Sequence, residues 1–250
     1  GGRHFAEWTA LDMARRRDRA ARKIIAGIAP RVMGVYTLAM TRWIFLPLFA
    51  VLLSACVMPQ PRTDANLTPL VRANFQSAAL PESWIELNGK VTVVDGALRL
   101  PAEPLELHGV MFGPALLDNL RVDARFRAEA KGRQFPEFGL GLNGISGFRV
   151  MVSPGQKKLK LFRNDVLVHE MDHTWVPGDW THMTFQIQSL PGLKWRVMAK
   201  VWHSSELEPK EWQLMWTESV EPLTGRATVW GQPFTGTPIA IDDLRVWRVD

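Results

Sequence analysis

Leu120-Arg121-Val122-Asp123-Ala124-Arg125-Phe126-Arg127 alternates without a break between apolar and charged side chains. Successive side chains of an extended chain point to opposite faces, so one face of this segment is dry and the other charged. That is the pattern of an antiparallel strand lying on one side of a core. The same phase recurs outward from it. Trp195, Val197, Ala199 and Val201 alternate with Lys194, Arg196, Met198 and Lys200. Phe185 and Ile187 alternate with Gln186 and Gln188, and Leu244 and Val246 flank Arg245 in a closing strand over Ile241–Val249. Between such runs stand Asn88-Gly89, Asp95-Gly96, Asn143-Gly144, Pro154-Gly155, Asn164-Asp165, Pro177-Gly178, Pro191-Gly192 and Gly231, residues that supply tight turns. No helical pattern of ten or more residues follows residue 73. Ser204–Gln213 has room for one turn, which Pro209 interrupts. The expectation over 74–250 is an all-β fold, two antiparallel sheets in a jelly-roll sandwich.

The chain has 250 residues, 46% of them hydrophobic, enough for one large domain or two small ones. Its net charge of +5 is unevenly placed. Residues 1–55 hold nine Lys/Arg against three Asp/Glu, and residues 56–250 hold 21 against 22. The basic excess therefore belongs to the leader, and a nucleic-acid partner is not expected for the folded part. Cys56 is the sole cysteine, which excludes an intrachain disulfide and Cys-based zinc sites.

The N-terminal quarter reads differently. Residues 1–39 begin Gly1-Gly2 and cluster Arg15, Arg16, Arg17, Arg19, Arg22 and Lys23 on a helix-compatible stretch. This segment reads as an upstream extension before an initiating Met40, or as a basic helical leader that contacts RNA or lipid. In residues 40–55, Arg42 precedes an apolar run from Trp43 to Leu53, interrupted by Pro47 and ending Leu53-Ser54-Ala55 before Cys56. The run is shorter than the roughly 20 residues a spanning helix needs, and its layout is that of a helical secretory signal. Residues 56–73 carry Pro59, Pro61 and Pro69 among polar neighbours and read as an extended tether.

Two resemblances extend this reading. Leu53-Ser54-Ala55-Cys56 resembles the lipobox of bacterial lipoproteins, in which the signal is cut before the Cys and its thiol is lipidated. The resemblance implies a lipid on Cys56 and a place in the bacterial cell envelope, at the outer membrane in a Gram-negative organism. Over 74–250 the landmarks are similar to concanavalin A-like jelly rolls: laminin-G-like and pentraxin-like lectins, family-16 glycoside hydrolases and 3-keto-disaccharide hydrolase-like domains. They are Phe75, Trp84 and Val94-Asp95-Gly96-Ala97-Leu98; the hairpin Phe148–Val152 and Leu159–Arg163; Gly178-Asp179-Trp180-Thr181-His182-Met183-Thr184-Phe185; and Ile241-Asp242-Asp243-Leu244-Arg245-Val246.

The candidate chemistry follows from these landmarks. Glu170 and Asp172 match the first two places of the family-16 motif E-x-D-x-E. Thr174 and Trp175 stand where the acid Glu belongs, and retaining hydrolysis needs that second carboxylate, so no catalytic role is carried over. His169 and His173 flank Asp172, but on a strand they would stand about 13 Å apart, too far to share an ion. The resemblance implies a structural calcium at Asp242, with Asp95 or the Gly96 carbonyl beside it; a strand-capping or Arg-paired Asp242 is the other reading. Nine of the eleven Trp follow residue 73. Trp84, Trp180 and Trp195 fall on core phases. Trp175, Trp202, Trp212, Trp216 and Trp230 fall off-phase or near loops and are the candidates, with Arg125, for contacting sugar rings. Arg121, Arg127 and Arg149 would join Arg125 on a polar face suited to acidic glycans.

These features predict a membrane-anchored envelope lipoprotein with a non-catalytic, carbohydrate-binding jelly roll, held by the lipid on Cys56 and needing no cofactor beyond a calcium ion. A glycoside hydrolase or lyase acting on polysaccharide, and a structural envelope protein with protein partners, are the alternatives.

Overall fold

The structure, a computed structural model, describes residues 67–76 and 79–250. The leader, the signal segment and Cys56 lie outside the described residues. Among those described, no helix is long and apolar enough to cross a membrane. Fifteen strands, numbered in chain order, form two antiparallel sheets.

The first sheet has eight strands. Its path runs β13 (Leu214–Glu218), β12 (Lys194–His203), β11 (Trp180–Leu190), β6 (Leu120–Arg127), β15 (Ala240–Val249), β4 (Ala97–Arg99) and β3 (Thr92–Val94). β1 (Leu67–Ala73) also pairs with β15. The second sheet runs β10 (Val166–Asp172), β9 (Lys158–Arg163), β8 (Phe148–Ser153), β7 (Glu137–Leu142), β14 (Gly225–Gln232), β5 (His108–Leu116) and β2 (Ile85–Leu87). Among the described residues the one helical element is the single 3₁₀ turn Pro154–Gln156. Ser204–Gln213, where Pro209 interrupts the room for a helical turn, is an irregular loop.

The alternation seen in the sequence is the alternation of burial. Leu120, Val122, Ala124 and Phe126 of β6 are buried, and Arg121, Asp123, Arg125 and Arg127 are half-buried on the other face. The inward residues of both sheets make one core. Phe126 of the first sheet stacks on Phe138 of the second, with ring centroids 5.1 Å apart. Phe112, Phe148 and Phe185 are fully buried around them. At one margin the sheets are joined by the Arg163–Glu218 ion pair at 2.7 Å and by the His169–Trp216 stack. Burial opposes ionisation of Glu218, but the N–H groups of Val220 and Ser219 and the Arg163 guanidinium outweigh it. They hold its carboxyl below the usual carboxylate range.

The turn residues adopt the backbone their chemistry allows. Asp95-Gly96 and Asn164-Asp165 each have two consecutive positive φ angles, the geometry of a tight hairpin. They join β3 to β4 and β9 to β10.

The expected tether over 56–73 is corrected at its C-terminal end. Leu67–Ala73 is β1, paired from Leu67↔Val249 to Ala73↔Leu244, so the sandwich begins before residue 74. Pro69 signals extended chain whether it is tethered or paired. On an edge strand its missing N–H costs nothing, and the register shift falls between Pro69 and Val71.

Phe126→Ala is expected to lower the unfolding free energy by about 3–5 kcal/mol, because it removes one ring of the stack joining the sheets. Arg127→Gln, on the outward phase, is expected to cost less than about 1 kcal/mol. Urea denaturation followed by tryptophan fluorescence measures both.

Candidate binding face

The outward phase of β6 is the middle of a polar face that crosses the first sheet in register. One row reads Trp202, His182, Arg125 and Asp242, drawn from β12, β11, β6 and β15. The next reads Lys200, Thr184, Asp123, Arg245 and Arg72, the last from β1. A third reads Met198, Gln186, Arg121 and Trp247.

Asp123 ties these rows together. Its Oδ1 accepts hydrogen bonds from Arg121 Nε and Thr184 Oγ1, each at 2.8 Å. Its Oδ2 accepts one from Trp247 Nε1 at 2.6 Å. The Trp247 indole is thereby held by a charged acceptor, a stronger partner than a neutral one. A bulge in β15 places Asp242 and Asp243 together beside Arg125: the register shifts between Asp242 and Arg245, and Asp243 has φ +51°. Arg125 Nη2 donates to Asp242 Oδ2 at 2.5 Å, and its Nε stands 3.2 Å from Asp243 Oδ2.

Aromatic rings stand among these charges. His182 and Trp202 stack nearly parallel, 5.3 Å apart. Arg125 and Arg127 both lie over the Trp180 ring, at 4.5 and 4.9 Å. Burial, and then the Arg125 charge, push the pKa of His182 below the ordinary histidine value. Burial does the same at His173, against an opposing pull from Glu206.

The Ser204–Gln213 loop covers part of this face. Glu208 accepts from Lys200 Nζ at 2.9 Å, and Lys200 lies 5.0 Å from the centre of the Trp212 ring. Two depressions stay open beside the loop. One of about 150 Å³ is bordered by His182, Trp202, Arg121, Glu208 and Arg245. The other, about 450 Å³, adjoins it at Asp243 and Arg245 and is bounded by Arg72, Asn74 and Trp247.

Of the residues singled out in the sequence, this face brings together Arg125, Trp202 and Asp242. The remaining tryptophans are corrected. Trp212 and Trp230 are buried, at 6% and 5% exposure. Trp230 faces outward from the second sheet but lies against Gly109, where a Cβ would stand 2.8 Å from its ring. Its Nε1 donates to Thr228 and Arg149 lies over it. Trp175 packs on Phe138 and donates to Thr181, closing one part of the core. Trp216 packs against the core and stacks on His169.

Glu170 and Asp172 sit on the edge strand β10, where Lys158 pairs with both, at 3.5 and 2.9 Å. The Asp172 side chain is 94% exposed. Asp242 pairs through its Oδ2 with Arg125, while its buried Oδ1 has no hydrogen-bond partner. Asp95, the neighbour expected for a shared ion, is paired with Arg99 on an exposed turn. Among the described residues no three His, Asp or Glu side chains converge on a metal position.

The core phase read for Trp180 is corrected, since its ring lies outward under Arg125 and Arg127, and sequence reading missed Trp247, Arg72 and Asp243. The phase of Phe185 and Ile187, carried back along β11, puts Thr181 inward and Trp180 outward. The phase of Leu244 and Val246 puts Trp247 outward.

The architecture defines the chain as a two-sheet jelly-roll sandwich. No protein-family model matches the chain, and no curated protein matches it in sequence. Solved structures do match its fold. The VIP36 exoplasmic/lumenal domain in its Ca2+/Man3GlcNAc-bound form aligns with a TM-score of 0.54 at 10% identity, covering 74% of this chain and 90% of that one. The metal-free form of the same domain gives 0.54 at 8% identity, covering 74% and 94%. At that identity the likeness is one of fold.

His173 and His182, with folded pKa values below their unfolded ones, bind fewer protons in the native state than in the unfolded chain. Their effect is therefore a loss of stability as pH falls below about 6.5, complete once pH passes their folded values. The denaturation midpoint is expected to decline over that window, and the double variant His173→Gln/His182→Gln is expected to flatten the decline.

Proposed function

We propose that this chain is a lipid-anchored protein of the bacterial envelope whose sandwich binds carbohydrate on the outward face of the eight-stranded sheet, without catalysis. The observation that carries the reading is the in-register mixture on that face: the Trp202–His182 stack and Trp247 beside fixed guanidinium, carboxylate and amide groups. Sugars present apolar C–H faces rimmed by hydroxyls, and an aromatic ring beside hydrogen-bonding groups matches both. The likeness of fold to a domain solved with Man3GlcNAc supports the same reading.

The anchor rests on the lipobox-like Leu53–Cys56, and the envelope location follows from it: the outer membrane in a Gram-negative cell. The near-neutral balance of residues 56–250 gives no reason to invoke nucleic acid. The exposed, lysine-paired Glu170 and Asp172 supply no acid–nucleophile pair, which speaks against the hydrolase reading. A structural protein with protein partners is the second reading. It is favoured by Leu207, 93% exposed on the loop that crosses the face.

Full-length protein recovered from cells fed labelled palmitate is expected to carry the label and to bind on a glycan array. Cys56→Ser is expected to lose the label and keep glycan binding. Trp202→Ala is expected to weaken glycan binding about tenfold. A blank array together with a stable protein complex formed without sugar would favour the second reading instead.

A further inference from the structure

We infer that Arg72 and Arg245 form a subsite for the anionic group of an acidic saccharide, a carboxylate or a phosphate, with the Trp247 ring beside it. This rests on the carbohydrate reading above and assigns it a ligand class. The two arginines stand directly opposite each other on β1 and β15, in register. Like charges in that position repel and destabilise the strand pair. Nothing adjacent fully compensates them.

Arg245 has one carboxylate contact, Asp243 at 3.4 Å, and Asp243 is shared with Arg125 at 3.2 Å. Asp123, opposite Arg245 on its other side, spends its hydrogen-bonding capacity on Arg121, Thr184 and Trp247. Arg72 has no carboxylate within ion-pair distance among the described residues; its contact is the Trp247 ring, 5.1 Å away.

The pair opens onto the depression of about 450 Å³, whose boundary also includes Ala73 and Asn74. That volume falls within the range of small-ligand sites. Two guanidinium groups present planar forks that match carboxylate or phosphate oxygens. An anion between them turns a repulsive strand pair into a bridged one. Trp247, fixed through its indole N–H by Asp123, is set beside that anion before any ligand arrives.

The test is calorimetric titration of the full-length protein in detergent with three probes: an oligogalacturonate, the same oligomer with its carboxyl groups reduced, and a hexose 6-phosphate. At low salt at least one anionic probe is expected to bind about tenfold or more tightly than the neutral oligomer. That preference is expected to shrink as salt is raised. In Arg72→Gln/Arg245→Gln it is expected to disappear. Because this variant removes a like-charge pair from an exposed edge, its denaturation midpoint is expected to equal or exceed that of the parent, which separates lost binding from lost fold. Equal binding of anionic and neutral probes, or an anion preference that survives in the double variant, overturns the subsite and leaves the carbohydrate reading standing. No binding to any saccharide in these titrations and on the glycan array removes the carbohydrate reading and the subsite together.

Discussion

Strand β6 imposes the constraint on which everything else depends. It is the central strand of the eight-stranded sheet, and its side chains must alternate between two environments. Phe126 and its inward neighbours build the core against the second sheet. Asp123 and its outward neighbours build the polar face. A shift of one residue in its register would exchange the two sets and destroy both at once. The hydrophobic demand of the core therefore fixes the positions of Arg121, Asp123 and Arg125 to within a strand spacing. Asp123, placed in this way, holds Trp247, Thr184 and Arg121 where they stand.

The two outward surfaces of the sandwich solve different problems. On the second sheet Gly109 and Gly139 flank Trp230 in register, and a Cβ at Gly109 or Gly141 would stand 2.8 or 3.1 Å from its ring. A Cβ at Gly139 would collide with the Val150 carbonyl and crowd Met151. Trp230 fills that bare backbone, and Arg149 lies across it and also over Phe162. On the first sheet the groups are long, charged and mutually paired, and depressions remain between them. On the first sheet Asp242 Oδ2 is met by a guanidinium from β6.

Much of the fold was legible in the sequence because alternation and turn chemistry are local. Asp95-Gly96, Asn164-Asp165 and the strands they join could be placed from neighbours alone, as could the inward phase of Trp195. The site was only half legible. Period two says which way a side chain points, not what lies over it. Trp212 lies on the loop itself and is buried where that loop crosses Lys200, and Trp230 faces outward and is buried by its own setting on glycines. Asp242 is paired with Arg125, 117 positions away, and no local pattern reveals a partner at that range. Leu67–Ala73 shows the same limit, since its prolines signal extended chain and only the register with β15 makes that chain a strand. Trp180 and Trp247 were within reach, because extending the phase of adjacent strand residues assigns both to the outward face.

The central claim is that recognition takes place on the β6 side of the first sheet and not on the second. Tryptophan indole N–H resonances in a ¹H–¹⁵N spectrum report on both surfaces at once, and titration with a binding saccharide tests the claim directly. The account predicts shifts confined to the indoles of Trp202, Trp247 and Trp180, with those of Trp230, Trp175 and Trp195 unmoved. Shifts at Trp230 with Trp202 and Trp247 silent would contradict it.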